Sequence, residues 1–348
     1  MRTWLCSVQG GASGRPTWPV SPRWNPDSGP SVYVSMRVRS HRPVRAALAC
    51  AAAALFATAC EVNLHTEGLS ARETKTFKVS GQPDVVLDTF DGAIEVHSWD
   101  RNEVEVEIEK RAIDQGLLDQ ITVSSEQEGN RVVLRVKGPA ATERHGITIG
   151  VSISPTAKLR VTVPRATNLQ AKSGDGSIRA EQVDGTLVLT TSDGSVTASH
   201  LSGDLRVRTG DGAIRVDRVT GRLDLETNDG SINVEATPST LHAKTGDGSI
   251  RMRIDLDTTM TGDWDITTGD GSVSLTLPAS FNAEIDAETS DGSVRASHPL
   301  LRESSPERAS GEDRDERRER RRSLRTTMGT GGKALRIRTG DGTIRIES

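Results

Sequence analysis

Five copies of one short phrase constrain this chain more than any other feature. GDGSIRA, SDGSVTA, GDGAIRV, NDGSINV and GDGSIRM place Asp-Gly pairs at Asp175, Asp193, Asp211, Asp229 and Asp247, each 18 residues after the last. The phrase returns at Asp270, Asp291 and Asp341 with looser spacing. A fixed period this short marks a stacked-repeat architecture. Asp-Gly is a turn signal, because Gly reaches positive φ without steric penalty and Asp bonds its own downstream backbone. Within Ser192–Gly210, Ser195-Val196-Thr197-Ala198 alternates polar and apolar. A second turn falls at Ser202-Gly203, and Leu205-Arg206-Val207-Arg208 alternates again. Each repeat therefore reads as two short strands and two turns, with one face of each strand buried.

Apolar positions align between copies. Ile178, Val196, Ile214, Ile232 and Ile250 form one column. Leu187, Leu205 and Leu223 form a second, and Leu189, Val207 and Leu225 a third. Stacked at about 4.8 Å, these columns make an interior ladder in which neighbours bury each other's faces. The expected fold class is all-β, a parallel β-solenoid of β-helix or β-roll type with coils of about 18 residues. An antiparallel β-sandwich is the alternative, since strands recurring every nine residues or so also suit hairpins. One detail blurs the period. Arg179, Arg215 and Arg251 occupy the position that Thr197 and Asn233 hold in the second and fourth copies, so a coil of 36 residues stays open.

The chain divides by composition. Residues 1–35 hold Trp4, Trp18, Trp24 and the only tyrosine, Tyr33, and show no period. They read as an extension ahead of a true start at Met36, the alternative being a genuine disordered extension. Residues 36–59 read as a signal peptide: Arg37, Arg39, Arg42 and Arg45 precede the small apolar run Ala46–Ala59, which is too short to span a bilayer. Leu55-Phe56-Ala57-Thr58-Ala59-Cys60 resembles a bacterial lipoprotein signal, which makes Cys60 the expected lipid attachment site. Ala57 stands where that signal usually has Leu, so plain cleavage nearby is the alternative. With only Cys6, Cys50 and Cys60 in the chain, an exported domain beyond Cys60 would fold without disulfides.

Residues 60–73 read as a polar tether and 74–165 as a degenerate β cap region, with strands expected at Thr74–Val79, Val85–Phe90, Ala93–Ser98, Val104–Lys110, Ile121–Ser125, Arg131–Val136, Ile147–Ile153 and Lys158–Val163. AIDQGLLDQ, Ala112–Gln120, offers a short helix. Residues 166–298 are the regular Asp-Gly-repeat solenoid, with enlarged loops around Asp257–Asp263 and Pro278–Asn282. Residues 299–333 read as a charged flexible insertion, since Arg302–Arg325 lacks β-branched and aromatic residues and is dense in both charges. Its basic run Arg317–Arg322 reads as a solvated surface, with contact to anionic phosphate groups as the alternative. Residues 334–348 read as the final β coil.

Chemistry is sparse. The column of Asp-Gly carboxylates would repel by about 1 kcal/mol per neighbouring pair in water. Arginines folding back, backbone N–H groups within each turn, or a cation such as Ca²⁺ between coils would offset that. Turn capping is the preferred reading, because the second half-repeat, Val183-Asp184-Gly185-Thr186, lacks the Gly-Gly-x-Gly-x-Asp of calcium-binding rolls. No metal site, cofactor or catalytic residue is expected. His97, His145, His200, His242 and His298 are scattered, and no phosphate-cradling loop, H-E-x-x-H or Cys/His cluster occurs.

The recurring T-G-D-G-S-I-R-V phrase, at Thr209–Val216, Thr245–Met252, Thr268–Leu275 and Thr339–Ile346, with Val183–Leu189 and Val219–Leu225 between, resembles the bacterial putative adhesin family, domain of unknown function 4097. So does Phe90–Asp100. The resemblance covers Thr74–Ser348 and implies an all-β repeat fold in an exported or envelope-associated protein, with no catalytic residues. The functional expectation is a non-enzymatic cell-envelope lipoprotein with a binding or scaffold role. Its expected partners are the membrane, through a lipid anchor, and a cell-surface or polysaccharide partner, with no nucleic acid. The expected location is the outer membrane or the periplasm-facing envelope. An envelope-stress sensor binding lipid or peptide, and a polysaccharide-active enzyme on a solenoid, are the alternatives.

Overall fold

A computed structural model of the chain describes residues 60–65, 68–139, 154–299 and 322–348, with the side chains of 60–65 outside the description. The expected extension, the signal peptide, the Cys60 side chain, the strand at 147–153 and the core of the charged insertion all lie outside the described residues.

The first elements are β1 (Cys60–His65), β2 (Gly68–Lys78), β3 (Asp84–Thr89), β4 (Ile94–Trp99), β5 (Glu103–Ala112), α1 (Gln115–Gln120), β6 (Thr122–Glu128), β7 (Arg131–Lys137) and β8 (Thr156–Pro164). The regular core follows as β9 (Asn168–Ser173), β10 (Ile178–Glu181), β11 (Asp184–Thr190), β12 (Val196–Ser199), β13 (Ser202–Arg208), β14 (Ile214–Glu226), β15 (Ile232–Thr245) and β16 (Ile250–Ile254). The last are β17 (Trp264–Thr268), β18 (Val273–Thr276), β19 (Ala283–Thr289), β20 (Val294–Ala296), β21 (Ser323–Met328), β22 (Ala334–Thr339) and β23 (Ile344–Glu347).

The register settles the fold class as a parallel solenoid and sets aside the antiparallel sandwich. Ile178 pairs Val196, Val196 pairs Ile214, Ile214 pairs Ile232 and Ile232 pairs Ile250, all parallel. Neighbouring rungs are thus one 18-residue copy apart, and the 36-residue coil is excluded. Each coil contributes one strand before its Asp-Gly turn and one after it. Strands after the turn form a front sheet ordered β8-β4-β10-β12-β14-β15-β16-β18-β23-β20. Strands before it form a back sheet ordered β7-β3-β9-β11-β13-β14-β15-β17-β22-β19. The long β14 and β15 run from one sheet into the other. Inward side chains of both sheets fall in one apolar cluster reaching from Phe77 to Ile346. At about 1.5–3 kcal/mol for each fully buried aliphatic side chain, this ladder is the main source of stability.

Chain order and stacking order differ at both ends. The β3–β4 coil lies between the strands of β7 and β8 and those of β9 and β10. The C-terminal β22–β23 coil, expected to close the stack, lies between β17–β18 and β19–β20. The inner place goes to the better apolar column: Leu335, Ile337, Ile344 and Ile346 are all fully buried, whereas Val294 is half-buried and Ala296 exposed. Antiparallel strands cover three of the four sheet ends, all but that at β20, among the described residues. β5 covers β8, β2 covers β5 and β1 covers β2, while β6 covers β7 and β21 covers β19. Pairing of this kind covers the edges of the parallel stack with strands of opposite direction, which break the repeat that a further copy would extend.

Two expectations are corrected here. Residues 60–73, read as a tether, are instead paired β-strand; the alternating Phe77, Lys75 and Glu73 pattern of β2 supplies a strand face against β5. Within the segment read as a flexible insertion up to residue 333, Ser323–Met328 is instead a strand, β21, which bonds β19.

Candidate binding face

Turn chemistry fixes everything on the surface. From Gly176 to Gly342 the glycine of each repeat turn is required by close approach and not by positive φ, whereas Gly92 at the N-terminal end combines close approach with a φ of 125°. A Cβ on Gly212 would lie 2.0 Å from the Gly194 carbonyl oxygen, and one on Gly230 2.0 Å from that of Gly212. Left-handed backbone occurs at the other edge instead, at Gln182, His200 and Arg218 (φ 59°, 55° and 50°), again 18 residues apart.

A buried hydroxyl column runs behind the Asp-Gly edge: Ser173, Thr191, Thr209, Thr227, Thr245, Thr268, Thr339 and Thr289. The Thr191 hydroxyl donates to the carbonyls of Gly174 and Gly176 in the preceding coil, at 2.8 and 2.9 Å. It accepts from the Gly194 N–H of its own turn at 3.3 Å. Thr227, Thr245 and Thr268 repeat the arrangement. The hydroxyl residue two positions before every regular Asp, serine at Ser173 and threonine thereafter, was visible in the recurring phrase, but reading it as a donor to the preceding coil required the stacking.

The Asp row itself is exposed at Asp175, Asp193, Asp211, Asp229, Asp247 and Asp270. Arg179, Arg215 and Arg251 do not fold over it; among the described residues they form no ion pair with it. Asp91, half-buried at the N-terminal end, has its carboxyl raised above the ordinary range by burial and then by the Asp175 charge, with the Gly92 N–H pulling the other way. Asp291 is bonded by Arg322 at 2.8 Å.

On the outer side of the front sheet, the position after the buried Ile column points to solvent. Register places Arg179, Thr197, Arg215, Asn233, Arg251, Ser274, Arg345 and Arg295 side by side on successive strands. Two residues further along each strand stand Glu181, Ser199, Asp217, Glu235, Arg253 and Thr276. Between the two rows lies an open groove of about 600 Å³. A second hollow of about 310 Å³, holding Arg251, Ser274, Arg295 and Arg345, continues it toward the C-terminal end. At the other end Glu95 meets Lys158 at 2.7 Å and Arg160 at 3.5 Å. Burial alone would raise its carboxyl, but Lys158, Arg160 and Arg179 outweigh that and hold it below the usual range.

The back sheet carries ion pairs between coils, Arg206–Asp224 at 2.7 Å and Arg208–Glu226 at 2.9 Å. Asp224, Glu226 and His242 come together there with metal-ligand atom types. Each carboxylate already holds an arginine, so the group reads as a charge network. Of the other histidines, His97 meets Glu181 at 3.4 Å and the buried His298 lies 3.3 Å from the Pro278 carbonyl. His145 is outside the described residues.

These features define a stacked-strand repeat protein whose outer faces carry ordered rows of side chains. The chain belongs to the Toastrack DUF4097 family, whose profile matches residues 83–347. No curated protein matches it. It is similar to a putative adhesin from Bacteroides fragilis NCTC 9343, at 13% identity over 79% of this chain and 96% of that one, with a TM-score of 0.41. A putative adhesin from Parabacteroides merdae ATCC 43184 matches at 10% identity over 80% and 96%, with a TM-score of 0.40. A putative lipid binding protein from Parabacteroides distasonis ATCC 8503 matches at 12% identity over 80% and 97%, with a TM-score of 0.30.

Proposed function

We propose that the protein is a non-enzymatic, adhesin-like binding module of the bacterial cell envelope, exported by the segment at 36–59 and held at the membrane through a lipid on Cys60. The observation that carries the binding role is the open groove over the outer front sheet, where polar and charged side chains stand in rows at strand spacing. A surface of this form offers repeated, shallow contacts to an extended partner. Adhesion assays on cells with and without the gene, at equal expression of other surface proteins, test the role; unchanged attachment and unchanged surface composition count against it. Anchoring is tested separately. Radiolabelled palmitate should enter the wild-type protein and not Cys60→Ser, and label persisting in that variant rejects Cys60 as the attachment site.

A further inference from the structure

The arginine alternation that blurred the 18-residue period has a geometric consequence. In the stack, Arg179, Arg215, Arg251 and Arg345 occur on every second strand of the front sheet, separated by Thr197, Asn233 and Ser274. With strands about 4.8 Å apart, the step between guanidinium-bearing positions is about 9.6 Å. Arg179, Arg215 and Arg251 hold no ion pair among the described residues, although carboxylates stand two positions along the same strands. Arg345 reaches Glu347 at 3.2 Å. Arginines left uncommitted in one file, with hydroxyls and an amide between them, form a row of sparse positive charge with hydrogen-bonding groups in the gaps.

We propose that this row binds a linear acidic polysaccharide laid along the stacking axis, carrying one carboxylate per disaccharide so that its charges recur at the two-coil step. This deepens the binding role above and rests on it. Each guanidinium takes one carboxylate through paired N–H donors. Thr197, Asn233 and Ser274 bond the intervening sugar hydroxyls, and Glu181, Asp217 and Glu235 accept from hydroxyls along the other side. The bordering carboxylates Glu181, Asp217 and Glu235 separate this partner from denser polyanions. Duplex DNA carries one charge per about 1.7 Å of axis, which the groove could not match and its carboxylates would repel. Individual contacts at exposed sites are weak, so affinity grows with the number of coils engaged.

The test measures binding of the repeat domain's full chain, purified in detergent, to hyaluronan oligosaccharides from disaccharide to dodecasaccharide. Neutral dextran, phosphatidylglycerol vesicles and oligo-dT serve as comparison probes. Affinity should rise steeply until the oligosaccharide spans three arginines and should fall with salt. The variant Arg179→Gln/Arg215→Gln/Arg251→Gln should lose roughly tenfold or more, while Arg206→Gln/Arg208→Gln on the back sheet should not. Thermal unfolding of each variant separates lost binding from lost folding. Length-independent binding, equal loss from the back-sheet variant, or stronger binding of vesicles or oligo-dT through the same arginines would overturn the proposal. Attachment of cells that survives the triple Arg variant overturns the polyanion row and leaves the adhesive role standing; loss of attachment on deleting the whole gene only, with no hyaluronan binding, separates the two in the same way.

Discussion

The two edges of the solenoid are built on different terms. Along the Asp-Gly edge, backbones touch: each turn glycine lies against the glycine carbonyl of the coil before it, and each buried Thr hydroxyl ties the two coils together. The Thr-to-Asp spacing never changes there, from Thr191 and Asp193 to Thr339 and Asp341. The opposite edge varies from coil to coil. Left-handed residues turn it at Gln182, His200 and Arg218, shifted registers carry β14 past β15, and longer loops cross between β16 and β17 and between β18 and β19. Contact between backbones sets the period, and length differences are absorbed where contact is looser.

That contrast can be broken by experiment. Two alanines inserted after Gly210 should abolish cooperative folding by circular dichroism, because the insertion moves every later coil out of register. The same insertion after Asp257 should leave the spectrum intact and cost about 1 kcal/mol or less, as long surface loops generally do. Equal damage at both places would remove the distinction. Gly212→Ala should cost about 3 kcal/mol or more in denaturant unfolding, since its Cβ would sit 2.0 Å from a backbone carbonyl that cannot rotate away. Thr227→Val keeps the volume but strands the Gly230 N–H and the Gly212 carbonyl and removes one of the donors to the Gly210 carbonyl, which keeps the Asn228 N–H, so a loss of about 1–3 kcal/mol is expected. Thr227→Ser should recover most of it, and a valine as stable as threonine would show the hydroxyl column to be incidental.

The smallest effect concerns pH. Arg208 holds the Glu226 carboxyl below its ordinary value of 4.5, and Arg338, with Arg325, does the same for Asp286. Carboxyls depressed in the folded state stabilise it above their unfolded values and lose that contribution as pH falls through the folded ones. Stability should therefore decline below about pH 4.5. Arg208→Gln should flatten the decline by a few tenths of a kcal/mol, about what exposed pairs supply. Asp91 has the opposite sign: with its carboxyl raised, protonation favours the folded state, and Asp91→Asn should raise the midpoint slightly at neutral pH.

Much of this fold was legible because periodicity reports contact directly. The Ile178, Val196 and Ile214 column and the two-strand coil are written in the alternation. The insertion of β22–β23 ahead of β19–β20 was hidden, since copies of similar phrase are interchangeable until their packing is compared. The tether was misread because β2 is charged on a half-exposed face, and charge alone resembled a linker. The binding row was in view as the Arg, Thr, Arg, Asn, Arg alternation, but only the 18-residue register turns that pattern into a distance.

Disulfide trapping tests the register most directly. With Cys6, Cys50 and Cys60 replaced by serine, Thr197→Cys/Arg215→Cys places thiols on paired neighbours of the front sheet, at a Cα separation of about 4.8 Å, within disulfide range. Thr197→Cys/Asn233→Cys places them two coils apart. Mild oxidation should close the first pair rapidly within one chain and leave the second open. Closure of the second pair in preference to the first would contradict the 18-residue parallel stack and everything built on its spacing.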